Sequence, residues 1–156
     1  MKVIHNVPTA TKAQADALER LWGLAILLGD GMQSGLAERG LTLARAEIIW
    51  QLRLDGPSTQ RALSRALRVT PRNITGLVDG LEADGIVARK SHPTDRRATI
   101  VSLTDKGNAL ARTLDRDQDQ FARELFGEVS TNDLASFTRV LERVLARLRE
   151  SGWPQP

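Results

Sequence analysis

Residues 59–85 read TQRALSRALRVTPRNITGLVDGLEADG, and this stretch decides the fold. Thr59 offers a side-chain oxygen ahead of a short helical run, residues 60–67, in which Ala62, Leu63, Ala66 and Leu67 are expected to face inward. Only Arg68 and Val69 intervene before Thr70-Pro71, a second helix start with an oxygen-bearing N-cap and Pro at the first helical position. Beyond it Ile74, Leu77, Val78 and Leu81 recur at i, i+3, i+4 and i+7, and Asp84-Gly85 ends the run. Two short helices joined by so tight a turn form a helix-turn-helix. The second helix turns Arg72, Asn73, Thr75 and Gly76 outward, with Asp79 further along.

The flanking sequence completes the architecture. Residues 86–90 are short and partly β-branched, residues 91–95 carry turn chemistry, and residues 98–103 alternate with Val101 and Leu103 on one face, a β-hairpin with a long tip. Upstream, Leu18, Leu21, Trp22, Ala25, Leu28 and Met32 form one helical stripe over residues 11–35. Gly40 breaks it. Thr42 then caps a helix carrying Ile48, Ile49, Leu52 and Leu54, which stops at Asp55-Gly56-Pro57. Thr104 or Asp105 restarts helix as far as about residue 126. The Ser130-Thr131-Asn132-Asp133 cluster caps a last helix with Leu134, Phe137, Leu141, Val144 or Leu145, and Leu148 along one side. The expected fold class is mainly α with a small β-wing. Residues 1–156 form one domain, a winged helix-turn-helix at 42–103 flanked by terminal helices at 11–38 and 105–150. Those terminal stripes are longer than one small winged module can cover, so Leu18, Leu21, Leu134, Phe137, Leu141, Leu145 and Leu148 are read as contacts with a second copy.

The charge is local. The chain has 22 Lys and Arg against 19 Asp and Glu, +3 in all, and with neither Tyr nor Cys to titrate this small surplus lifts the pI to 9.9. Residues 1–58 balance at six of each sign, residues 107–156 carry seven basic and eight acidic, and residues 59–106 hold nine basic and five acidic. The whole surplus therefore lies in the helix-turn-helix and hairpin, which points to double-stranded DNA. Arg72 can read guanine bidentately and Asn73 adenine, Thr70 and Thr75 flank them, and Gly76 lets the helix backbone approach the bases. Arg96 and Arg97 at the hairpin tip suit a narrow minor groove, with Asp95 pinning an arginine and shaping the wing. Thr59, Arg61, Arg65, Arg68 and Lys90 are the phosphate-contact candidates.

Other classes fare poorly. Zero cysteine removes disulfide scaffolds, Cys-based zinc sites and thiol redox switching. His5 and His92 stand in no metal-ligand or nucleophile spacing, and no glycine-rich phosphate loop occurs, so neither enzymatic activity nor a metal or other cofactor is expected. Asp115-x-Asp117-x-Asp119 imitates a calcium loop, but Gln120 and Phe126 stand where Gly and Glu are needed. The longest apolar run, residues 21–28, is too short to span a bilayer, and the N-terminus has no signal pattern, which places the protein in the cytoplasm away from membranes.

Several runs together resemble the multiple-antibiotic-resistance regulator (MarR) family. They are Gly56-Pro57-Ser58-Thr59-Gln60, Leu63-Ser64-Arg65-Ala66-Leu67, Val69-Thr70-Pro71 and residues 81–89, LEADGIVAR. Pro93-Thr94-Asp95-Arg96-Arg97 and residues 101–107, VSLTDKG, extend the match. The resemblance implies an obligate homodimer with interlocked terminal helices, two winged modules on a palindromic operator, and repression relieved by a small aromatic or phenolic ligand. It makes Asp95 and Arg97 the wing's Asp-x-Arg, with Arg97 in the minor groove, and places the pocket near Trp22 and Trp50. The chain departs from the family at His92, where an acidic residue is common, and at Gly76, where a larger side chain is common. The rival reading is a winged-helix protein–protein interaction module without DNA binding, since a fold alone does not fix its use.

Overall fold

Side-chain oxygens start the helices. Thr11 opens α1 (Lys12–Ala37) with a capping box, its Oγ1 accepting from the Gln14 N–H while the Gln14 side chain accepts from the Thr11 N–H. Thr42 accepts from the Arg45 N–H at the head of α2 (Leu43–Asp55). The computed structural model describes residues 9–91, 94 and 98–152. They fall into two compact units divided between Ala46 and Glu47. In the first, Gly40 takes a positive φ of 68° that lets the chain turn back, and the Leu41 N–H reaches the Leu36 carbonyl at 2.9 Å. Leu36, Leu41 and Ala46 are its buried apolar residues.

The second unit carries β1 (Ser58–Thr59), α3 (Gln60–Ala66), α4 (Pro71–Ala83), β2 (Val87–Ser91), β3 (Thr99–Leu103), α5 (Asp105–Phe126) and α6 (Thr131–Glu150). Its core joins Ile48, Ile49 and Leu52 of α2 with Leu63 of α3 and the Ile74, Val78 and Leu81 stripe of α4. Val87, Val101, Ala111 and Leu114 complete it. The sheet is antiparallel in the order β1-β3-β2, with Val87 opposite Leu103, Ser91 opposite Thr99 and Ser58 opposite Val101. The hairpin was legible; β1 was not, because two residues after Gly56-Pro57 carry no alternation to read.

One inward expectation is corrected. In α3 only Leu63 is fully buried and Leu67 half-buried, whereas Ala62 and Ala66 are exposed and the polar Ser64 is buried. In α2, Leu54 is 82% exposed. Seven residues are two turns of helix, too few for periodicity to fix a face, and Leu54 lies on the side of α2 opposite the Ile48, Ile49 and Leu52 stripe.

A latch ties α5 to the end of α4. Gly85 (φ 69°) ends α4, and the Thr104 hydroxyl donates to the Gly85 carbonyl at 2.7 Å while its oxygen accepts the Gly107 N–H. Lys106 donates from Nζ to the Asp84 carbonyl at 2.7 Å. Gly107 is buried there, and a Cβ on it would overlap the Ile86 carbonyl oxygen.

Candidate nucleic-acid interface

The turn between α3 and α4 is closed from inside. The Ser64 hydroxyl donates to the Val69 carbonyl at 2.7 Å, and the Val69 N–H donates to the Ser64 carbonyl at 3.1 Å. This satisfies a buried hydroxyl and fixes the helix pair as one piece. Arg68 takes the left-handed conformation at φ 52°, where glycine is usual just past a helix end. Thr59 and Thr70 spend a lone pair as caps, accepting from the Ala62 and Asn73 N–H groups. Neither hydroxyl donates to an acceptor among the described residues, so both protons remain for an outside one.

On α4 the outward set is where the periodicity put it: Arg72, Asn73, Thr75 and Gly76 are all exposed. Thr75 donates its hydroxyl to the Pro71 carbonyl at 2.9 Å, so it presents a methyl group and acceptor lone pairs. A Cβ on Gly76 would meet nothing within 4 Å, so the backbone there is open to close approach. Arg61, Arg65, Arg68, Arg72 and Lys90 are exposed, and none of them has an ion-pair partner among the described residues. Pairing with a carboxylate would blunt a phosphate contact, and these five are unblunted.

Arg89, which the sequence did not single out, behaves differently. From β2 its Nη1 reaches Glu82 Oε2 and its Nη2 reaches Asp79 Oδ1, each at 2.6 Å. Burial pushes its pKa down, but the hydrogen bonds to Asp79 and Glu82 and their charges outweigh that, and the net shift is upward. Asp79 is thus on the outward side of α4, as expected, but already engaged. The wing-tip expectations at His92, Asp95, Arg96 and Arg97 lie outside the described residues.

The remaining candidates sort by unit. Trp50 lines a cleft of 310 Å³ with Glu47, Gln51 and Leu54 of α2 and Ala66 and Leu67 at the end of α3. Its indole N–H is buried without a hydrogen-bond partner among the described residues. Trp22, in the first unit, is exposed on α1. Along α1, Leu18, Ile26 and Leu27 are exposed with it and Leu21 is half-buried. On α6, Phe137, Val140, Leu145 and Leu148 are exposed, Leu134 and Leu141 half-buried, and no residue of the helix is fully buried. No helix among the described residues is long and apolar enough to cross a membrane.

The comparisons with known proteins agree with this geometry. The MarR family model matches residues 41–99, from the turn before α2 to the start of β3. The HTH-type transcriptional regulator YdgJ of Bacillus subtilis is 28% identical over 138 residues, 88% of this chain and 80% of the relative. The HTH-type transcriptional repressor YetL of the same organism is 30% identical over 112 residues, 69% of this chain and 67% of its own length. Among solved structures, AbsC, a MarR family transcriptional regulator from Streptomyces coelicolor, superposes with a TM-score of 0.74 at 20% identity, covering 92% of this chain and 99% of AbsC. A helix-turn-helix closed by Ser64, a three-stranded wing sheet and these likenesses lead to one assignment: the chain belongs to the MarR family of winged helix-turn-helix, DNA-binding transcriptional regulators.

Proposed function

We propose that the protein works as a homodimeric repressor that binds a palindromic operator and releases it on binding a small aromatic or phenolic ligand. It acts in the cytoplasm as a regulator and not as an enzyme. The observation that carries the reading is the exposed first turn of α4, with Arg72 and Asn73, together with Arg61, Arg65 and Arg68 of α3 and the turn, which have no ion-pair partner among the described residues. In this reading Arg72, Asn73, Thr75 and Gly76 meet base edges. Thr59, Thr70, Arg61, Arg65, Arg68 and Lys90 meet the phosphates, and Arg96 and Arg97 enter the minor groove with Asp95 shaping the wing. The uncovered apolar residues of α1 and of α6 are what a second copy would bury, since a lone chain would leave both patches wet. Trp50 and its cleft, with Trp22, are the ligand candidates.

The test is an affinity titration against duplexes flanking the protein's own gene at two salt concentrations. Four phosphate-facing cations per module, Arg61, Arg65, Arg68 and Lys90, doubled in a dimer, set a log–log salt slope between about −4 and −7. Absence of sequence-selective binding at low salt overturns the reading in favour of an interaction module. A stable monomer in sedimentation at micromolar concentration overturns the dimer. Ligand binding is read from quenching of tryptophan fluorescence by a panel of phenols and aromatic acids, lost in Trp50→Phe.

A further inference from the structure

Arg89 holds three points of α4 from one position on the wing. Besides Asp79 and Glu82, its Nη2 lies 3.4 Å from the Thr75 carbonyl oxygen, and its own backbone N–H donates to Glu82 Oε1 at 3.2 Å. Positions 75, 79 and 82 lie at i, i+4 and i+7, along one flank of the helix. The Arg89 side chain is mostly covered, 21% exposed, while that of Asp79 beside it is 60% exposed. The clamp therefore sits at the edge of the outward face, with the carboxylate on the solvent side.

The position of Asp79 gives the clamp a consequence for DNA. Seven residues after Arg72, it returns to nearly the same angle about the helix axis and lies about 10 Å along it. That is roughly one screening length at physiological salt, so a bare carboxylate there acts on any phosphate or base edge that Arg72 meets. Arg89 supplies the opposing charge within hydrogen-bond distance. It also joins β2 to α4, so that strand and recognition helix keep one angle.

We propose that Arg89 is a positioning residue of the DNA-reading surface, fixing the first wing strand on the flank of α4 and cancelling the Asp79 and Glu82 carboxylates that would otherwise repel the operator. The proposal rests on the reading that α4 enters a DNA groove. A preferred duplex is first selected from a random library with the wild-type protein. Its affinity for wild type, Arg89→Met, Asp79→Asn and the double variant is then measured at two salt concentrations, with a thermal melt of each.

Arg89→Met is expected to bind about tenfold more weakly at low salt, with a smaller loss at high salt because the exposed repulsion is screened. Asp79→Asn in the Arg89→Met background is expected to restore most of that loss. A residue that only held the fold together would lose affinity alongside melting temperature and would not be rescued by removing its partner. The proposal is overturned if the double variant binds no better than Arg89→Met, or if Arg89→Met binds like wild type. Should Arg89→Met not fold, Arg89→Lys carries the same test, since one ammonium cannot fork to both carboxylates. A wild-type protein that selects no sequence sinks the DNA reading itself, and this proposal with it. Selection by wild type without an Arg89 effect sinks this proposal alone.

Discussion

Replacing Gly107 by Ala should destabilise the protein through a single contact. The residue lies in the first turn of α5, where alanine is the better helix former by about 1 kcal/mol. Against that, the new Cβ would overlap the Ile86 carbonyl oxygen and lie 3.1 Å from its carbonyl carbon and 3.2 Å from Leu103 Cδ2. Leu103 can rotate away. Ile86 cannot, because its carbonyl accepts the Thr104 N–H at 3.0 Å and it sits between the end of α4 and β2. Relief therefore means moving α5 off the turn, which breaks the Thr104 and Lys106 hydrogen bonds to Gly85 and Asp84. Overpacking against immobile atoms costs about 3 kcal/mol or somewhat more, leaving a net loss of roughly 2–3 kcal/mol. For a chain of this length that is a fall of roughly 5–10 °C in melting temperature. The assay is a urea melt followed by far-ultraviolet circular dichroism, beside a thermal melt. Gly76→Ala is the control, also helical but with open space around its Cβ, and it should be neutral or up to about 1 kcal/mol more stable. If Gly107→Ala melts at or above wild type, the latch reasoning is wrong.

Arg68→Gly should raise stability by roughly 0.5–1 kcal/mol, because it relieves a left-handed arginine, while DNA affinity falls with the lost cation; a urea midpoint below wild type refutes the strain argument. Arg72→Ala and Asn73→Ala should each cost about 1–3 kcal/mol in operator binding and broaden the sequences recovered from a random library. An unchanged selection profile would remove them from the base-reading set. Leu63→Ala, at a fully buried side chain between α3 and the core, should cost about 2–5 kcal/mol in a denaturant melt, and a loss under 1 kcal/mol would contradict the packing described for the helix pair.

What the sequence made legible was local. The caps at Thr42, Thr59, Thr70, Thr104 and Ser130 all hold helix starts, because a cap depends only on an oxygen and an N–H two or three residues on. The outward set of α4 was equally legible, since its apolar stripe repeats over three turns. Orientation was lost where the pattern was short, as with Ala62 and Ala66. Partnership was lost wherever it crossed between elements. Asp79 was placed on the right side of the helix, but its pairing spans ten residues and a change of element. No periodicity marks Arg89 as anything but one more cation. Ser64 was passed over for the same reason, its role depending on a carbonyl in the next turn.

The same distinction changes the meaning of the charge. Between residues 59 and 106 the count was nine basic against five acidic, a surplus that treats every side chain alike. The structure divides the bases instead by what they hold. Arg89 is spent on two carboxylates of the recognition helix and Lys106 on a backbone carbonyl, so both serve the shape of the module. Arg61, Arg65, Arg68 and Arg72 hold nothing among the described residues, and they lie on the two helices that form the helix-turn-helix and on the turn between them. A counterion released by DNA must come from a cation able to meet a phosphate, so the salt dependence should follow Arg61, Arg65 and Arg68, with Lys90 on β2, and not the net count. Removing Arg89 and removing Arg65 alter the formal charge equally. The first uncovers carboxylates and loosens a strand, whereas the second deletes one outward cation and leaves the fold as it was.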